Sequence, residues 1–171
     1  MAGSNSVRYQ FIGVIHSPFT DQKDTPIQSI FSNAQGMVEV FPPFVKGLDG
    51  LSEFSHLYLI YHFHKATPGR LEETPFLDGE KPRGIFCIRH YNRPNPIGIS
   101  IVELEKVEGN CLFVKGVDVL DGTPLLDIKP YVVRFDNREN ARSGWVDKKP
   151  IKNIQDMEAT PGRLLDRTRD P

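Results

Sequence analysis

Residues 89–100 read Arg-His-Tyr-Asn-Arg-Pro-Asn-Pro-Ile-Gly-Ile-Ser and concentrate groups that can bind or react. Pro94 and Pro96 bracket Asn95, fixing φ at two positions and removing two backbone donors. Arg93 and Asn95, each ahead of a proline, are pushed toward extended geometry. A stiff loop that displays guanidinium groups suits an anion or a nucleobase, because the planar fork is selective only where it is held in place. Lys81, Arg83, Arg89 and Arg93 are the basic residues of positions 81–100, and no acid interrupts them. Tyr91 adds a ring on which a base can stack. Arg93, Asn95 and Tyr91 are therefore candidates for contacting a nucleic-acid substrate. A stiff turn with incidental charge is the competing reading, and the pattern alone does not choose between them.

A second stretch, residues 118–131, reads Asp-Val-Leu-Asp-Gly-Thr-Pro-Leu-Leu-Asp-Ile-Lys-Pro-Tyr. Asp121-Gly122-Thr123-Pro124 is a turn sequence: Gly122 can take positive φ, and the Asp and Thr side chains can bond nearby amides. Such a turn holds amides and carbonyls at fixed positions, as recognition of an adenine edge or a ribose requires. It also serves any hairpin. A third feature is His62-Phe63-His64. Strand alternation would put both histidines on one face and raise a metal site as a possibility. Zinc or iron would need further ligands from His56, Cys87 or His90, and no recognised spacing unites them. No metal is expected, and His64 beside Lys65 reads better as polar lining of a pocket. No GxGxxG, P-loop, HExxH or GxSxG pattern occurs, so a Rossmann-type nucleotide site is not supported.

These segments need a scaffold, and composition bounds it. With 171 residues, 39% of them hydrophobic, the chain suffices for one domain with a core. Its formal net charge of −1 gives no global pull toward nucleic acid, so any RNA contact must come from a local patch. The two cysteines, Cys87 and Cys111, lie in apolar, strand-like segments without metal spacing, which points to a reducing cytoplasm. No run is long and apolar enough for a membrane helix, and the first six residues do not read as a secretory signal.

Short strands are expected at residues 7–15, 37–41, 54–63, 84–88, 98–107, 111–119 and 125–128, with a hairpin turn at Glu108-Gly109-Asn110. A short helical turn is expected at residues 46–52. Many short strands with 14 glycines and 14 prolines indicate a mainly β protein, a barrel or sandwich. The domain plan is a flexible lead at residues 1–6, a core domain at 7–136, and a basic extension with a polar tail at 137–171. The extension is expected to hug the surface before fraying.

Four segments together carry a family resemblance: Ile12-Gly13-Val14-Ile15-His16-Ser17-Pro18-Phe19, Gly50-Leu51-Ser52-Glu53-Phe54-Ser55-His56-Leu57, Arg93-Pro94-Asn95-Pro96-Ile97-Gly98, and residues 120–131. In this order they resemble the TsaA-like (TrmO) family of tRNA methyltransferases. The resemblance implies a single-sheet β-barrel that binds S-adenosylmethionine without a Rossmann sheet, usually as a homodimer. It also implies methylation of the exocyclic amine of a threonylcarbamoyl-modified adenosine beside the tRNA anticodon. Contacts to the methyl donor carry over to Pro26, Ile27, Gln28, His64, Lys65, Arg89, Ile99, Asp121, Gly122, Thr123 and Pro124. Asp121 and His64 are the candidate proton acceptors. The chain departs from the family at Ile27, where a basic residue is commoner. It departs again at Ile88-Arg89-His90-Tyr91-Asn92, where family members typically read Thr-Arg-Ser-Pro or Thr-Arg-Ser-Thr. If that second departure disabled the pocket, the barrel would remain as a non-catalytic RNA- or nucleotide-binding module.

Overall fold

The computed structural model describes residues 6–67, 69–76 and 81–148. The lead at residues 1–5 and the polar tail at 149–171 fall outside the described residues. Six strands close into one antiparallel barrel: β1 Gly13–His16, β2 Gln35–Val40, β3 His56–His62, β6 Ile97–Glu108, β7 Cys111–Lys115 and β8 Thr123–Pro130, in the spatial order β1-β2-β7-β6-β3-β8. Closure leaves no unpaired sheet edge in the barrel. Two further short strands, β4 Glu72–Glu73 and β5 Arg83–Gly84, pair only with each other.

Alternation builds the core. On β3, Leu57, Leu59 and Tyr61 point inward, and on the facing β6 the inward positions are Gly98, Ser100 and Val102. Ile15, Val38, Val40, Leu112, Val114 and Leu125 complete the same cluster from the other strands. Most inward positions are apolar, so the inward hydroxyls of Tyr61 and Ser100 need partners within the barrel. Gly98 is small for a steric reason: a Cβ there would lie 2.1 Å from Cε2 of Tyr61 and 2.8 Å from Cζ of Phe63. Its missing side chain makes room for both rings.

Several sequence expectations change in detail. The first strand covers only Gly13–His16, because residues 6–10 ahead of it are exposed and unpaired in the sheet. Residues 84–88 are not a strand. Arg83–Gly84 pairs with Glu72–Glu73, and Ile85–Cys87 then forms one 3-10 turn. The carbonyls of Ile85 and Ile88 are taken by Nη1 of Arg93 at 3.1 and 2.7 Å, which replaces the bonds a neighbouring strand would supply. Cys87 is accordingly exposed, not buried in a strand. The helical turn expected at 46–52 is two 3-10 segments, Pro42–Leu48 and Leu51–Glu53. The hairpin at Glu108-Gly109-Asn110 forms, with Gly109 at φ 60°.

After β8 the chain makes one short helix, α1 Val133–Asp136, where Asp136 Oδ2 accepts the N–H of Val132 at 2.7 Å. The following residues return to the β5 region. Nε1 of Trp145 donates to the carbonyl of Cys87 at 2.8 Å, and the guanidinium of Arg83 sits 4.6 Å from the Trp145 ring.

Candidate active site

A cavity of about 380 Å³ opens at the barrel end where β3 finishes and β6 begins. That volume lies within the range of small-molecule sites. Its floor comes from Tyr61 on β3, Gly98 on β6, and Asp118, Leu120 and Thr123 around the connection from β7 to β8, while the half-exposed Ile99 of β6 lines its outer side. Its walls are loops: residues 25–28 on one side, 64–66 on another, and Phe76 with residues 88–91 on a third.

The floor is polar and internally bonded. Ser100 Oγ donates to Oδ1 of Asp118 at 2.5 Å and lies 2.9 Å from the Tyr61 hydroxyl. Since the single proton of Ser100 goes to Asp118, the Tyr61 O–H must donate to Ser100. The chain of bonds therefore runs Tyr61 to Ser100 to Asp118 and ends on a carboxylate. Burial raises the Asp118 carboxyl to about 6, opposed by the Ser100 hydrogen bond and by the positive charge of Arg89. Burial likewise raises the Tyr61 phenol well above its ordinary value, so it remains a donor.

The walls are aromatic and basic. His90 is 4% exposed, its ring centroid 4.2 Å from that of Tyr91 and 5.2 Å from that of Phe76, all three near parallel. Phe63 meets Tyr91 edge-on and Tyr61 at nearly a right angle. Nδ1 of His90 accepts the N–H of Asn92 at 3.1 Å, which leaves any ring proton of the neutral form on Nε2. Burial lowers the His90 pKa, so the ring is neutral at physiological pH. Asn92 accepts the N–H of Thr67 at 2.9 Å and ties this wall to the turn carrying His64 and Lys65. The His90-Tyr91-Asn92 departure thus builds wall and clasp and leaves the cavity intact. On the opposite side, Nη1 of Arg89 donates to Oε1 of Gln28 at 2.7 Å, while Nε2 of Gln28 donates to the carbonyl of Ile27.

Ten of the residues singled out from sequence line this one cavity: Pro26, Ile27, Gln28, His64, Lys65, Arg89, Tyr91, Arg93, Ile99 and Thr123. Four do not. Asp121 is turned outward, its Oδ1 accepting the N–H of Ser17 at 3.1 Å and lying 3.6 Å from Nδ1 of His16. Gly122, at φ 75°, and Pro124 belong to the same turn, whose role around the cavity is to place Thr123. Thr123 is buried and donates to the carbonyl of Leu120 at 2.6 Å. Asn95 lies exposed in the proline loop. Arg93 reaches the wall, but its guanidinium is occupied by the Ile85 and Ile88 carbonyls.

His62 and His64 do not share a strand face, because β3 ends at His62 and His64 lies in the turn closed by Ala66 N–H on the Phe63 carbonyl. His62 lies against Phe11 instead. Burial, then Lys65 and His62, lower the pKa of His64. Among the described residues no group of three or more His, Cys, Asp or Glu is placed to hold a metal ion. The sequence reading missed Asp118, Ser100 and Tyr61. A carboxylate in the apolar run Val117-Asp118-Val119 and a serine at an inward-alternating position were the available signals.

A closed antiparallel barrel with an aromatic-walled, acid-floored cavity defines a small-molecule-binding barrel unrelated to doubly wound nucleotide folds. Residues 14–137 match the family model described as the tRNA-methyltransferase O N-terminal domain, and the chain belongs to that family. A protein of Pyrococcus abyssi, named as a probable S-adenosyl-L-methionine-binding protein, is 55% identical over 151 residues, covering 88% of this chain and 79% of the relative. The human tRNA (adenine(37)-N6)-methyltransferase is 36% identical over 163 residues, covering 90% of this chain and 35% of the relative. The crystal structure of TrmO from Pseudomonas aeruginosa superposes with a TM-score of 0.72 at 39% identity, over 85% of this chain and 65% of that one. The chain therefore spans a little under two thirds of that solved structure and about a third of the human relative.

Proposed function

We propose that this protein is an S-adenosylmethionine-dependent tRNA methyltransferase acting on the exocyclic amine of threonylcarbamoyl-adenosine beside the anticodon. The observation that carries the reading is the cavity itself: a carboxylate floor, ring walls and a braced guanidinium within one small-molecule volume. These residues fit the donor. Arg89, steadied by Gln28, suits its carboxylate. The ring faces of Tyr91 and Phe63 suit its adenine and its sulfonium charge. When bound, the donor supplies an activated methyl group, so the protein's main task is alignment.

tRNA is the proposed partner. The net charge is −1, so RNA contact rests on the acid-free segment 81–100 and on the arginines at 134, 138 and 142. A homodimer is also proposed. Ile97, Ile99 and Ile101 are each at least 40% exposed on the outer face of β6, beside Ile60 and Tyr58 of β3, and a second copy would cover that apolar face. Work in the cytoplasm follows from the substrate.

The test is methyl transfer from labelled S-adenosylmethionine to total tRNA, with and without the threonylcarbamoyl group, read by nucleoside mass spectrometry. Methylated threonylcarbamoyl-adenosine is the expected product. Donor binding without product on any tRNA pool would refute the enzymatic reading and favour a non-catalytic binding module.

A further inference from the structure

We propose that Asp118 is the proton acceptor of the methyl transfer, held for that task by the relay from Tyr61 through Ser100. The inference rests on the methyltransferase reading and assigns within it a role that neither of the other candidate acids and bases fills as well. Asp121 is engaged by Ser17 and His16 outside the cavity, and His64 is exposed at its rim. Among the described residues, Asp118 alone combines a carboxylate with a place on the cavity floor.

The chemistry requires such a group. The amine nitrogen gives its lone pair to the methyl carbon, and the carbon–sulfur bond breaks with its electrons passing to sulfur. The nitrogen then carries a positive charge, and one N–H proton must leave. A carboxylate takes it without any oxidant, metal or further reactant. Oδ1 of Asp118 accepts from Ser100, and the carboxylate keeps lone pairs beyond that bond with which to receive this proton. Water inside the cavity could not fill the role as well, because it is far less basic than a carboxylate. The ionisable groups acting on Asp118 are Arg89 from the wall and Tyr61 from β3. The backbone N–H of Ser29 and the hydroxyl of Ser100 also bond to it, and all of these favour the charged form except Tyr61, which stays neutral. Burial pushes the other way and leaves the carboxyl near 6, a value at which it is ionised at neutral pH yet still basic enough to accept.

The test is single-turnover methyl transfer at saturating donor between pH 5 and 8.5, with donor affinity measured separately by calorimetry. The wild-type rate should rise with pH through a midpoint near 6 and then level. Asp118→Asn should keep donor affinity within about threefold, lose about 100-fold or more in rate, and lose that pH limb. Ser100→Ala removes a hydrogen bond to the charged form, so its limb should move to higher pH. An Asp118→Asn variant with wild-type rate overturns the assignment and leaves the methyltransferase reading standing. So does one that loses only donor affinity. Should Asp118→Asn fail to fold, an unmoved limb in Ser100→Ala overturns the assignment on its own. Absence of transfer by the wild-type protein on every tRNA would instead refute the parent reading, and the role of Asp118 with it.

Discussion

Nη1 of Arg89 donates to Oε1 of Gln28 at 2.7 Å, joining the loop before β2 to the loop before β6 across the cavity mouth. The two residues are 61 positions apart in sequence. Gln28 is itself pinned by its bond to the Ile27 carbonyl, so the guanidinium is presented in one orientation with other N–H groups still available.

Replacing Arg89 with alanine should therefore weaken donor binding and spare the fold. Losing a hydrogen bond to a charged group costs roughly 1.5–3 kcal/mol, or about 10- to 100-fold in affinity. Gln28→Ala leaves the charge in place but frees its orientation, and should cost less. Calorimetric titration with S-adenosylmethionine checks both. Unchanged affinity in a folded Arg89→Ala protein would remove Arg89 from the donor site.

Gly98 offers a steric test of the aromatic wall. Any side chain there enters the rings of Tyr61 and Phe63, so Gly98→Ala should force both out of place and cost about 1–3 kcal/mol through overpacking. Donor affinity should fall with stability, because the displaced rings line the cavity. Gly47→Ala is the control, since a Cβ at that position meets nothing within 4 Å. Thermal melts of the two variants side by side check this, and equal melting temperatures would mean that the rings adapt freely.

The barrel was legible because its signals are local. Short apolar stretches marked β3, β6 and β7, and Gly109 and Gly122 marked turns that do form with positive φ. Residues 84–88 misled because their apolar character suits a strand, whereas the carbonyl bonds that fix a turn there come from Arg93, farther along the chain. The site was half legible for a related reason. Arg89, Gln28 and His64 carry over by position from the family that four other segments resemble. Tyr61, Ser100 and Asp118 meet only when β3, β6 and the connection after β7 come together, and no spacing in sequence announces a bond between positions 61, 100 and 118. Asp121 shows the converse. It stands in the most conspicuous turn of the chain, yet its carboxylate serves to dock that turn onto Ser17.

Trp145 is the single tryptophan of the chain and bonds to the Cys87 carbonyl, next to Phe86 and Ile88 of the cavity lining. Its fluorescence should change when the donor orders residues 85–89, which gives a direct binding signal without labels. Trp145→Phe removes the hydrogen bond and weakens the stacking of Arg83, and should raise the donor dissociation constant a few-fold with little change in melting temperature. A fluorescence titration on the wild type and calorimetry on the variant decide it. A silent tryptophan together with unchanged affinity would show that the extension does not brace the wall.

Asp118 also makes a prediction about stability, opposite in sign to the usual one for carboxylates. Its folded carboxyl lies near 6 against an ordinary 3.8, so between these values the folded state binds more protons than the unfolded state. Stability from this group is then full below about pH 4 and is lost as pH rises through 6. The difference corresponds to an upper bound of roughly 3 kcal/mol. Asp118→Asn keeps an acceptor for Ser100 but carries no charge to desolvate. The variant should melt several degrees above the wild type at pH 7.5, at about 2–4 °C per kcal/mol for a chain of this size. The two curves should converge at pH 4.5 and below. Calorimetric scans across that range check the sign. A variant less stable than the wild type at both ends would show that the charge is fully compensated where it lies, and that the protein gives up no stability to keep a carboxylate in its cavity.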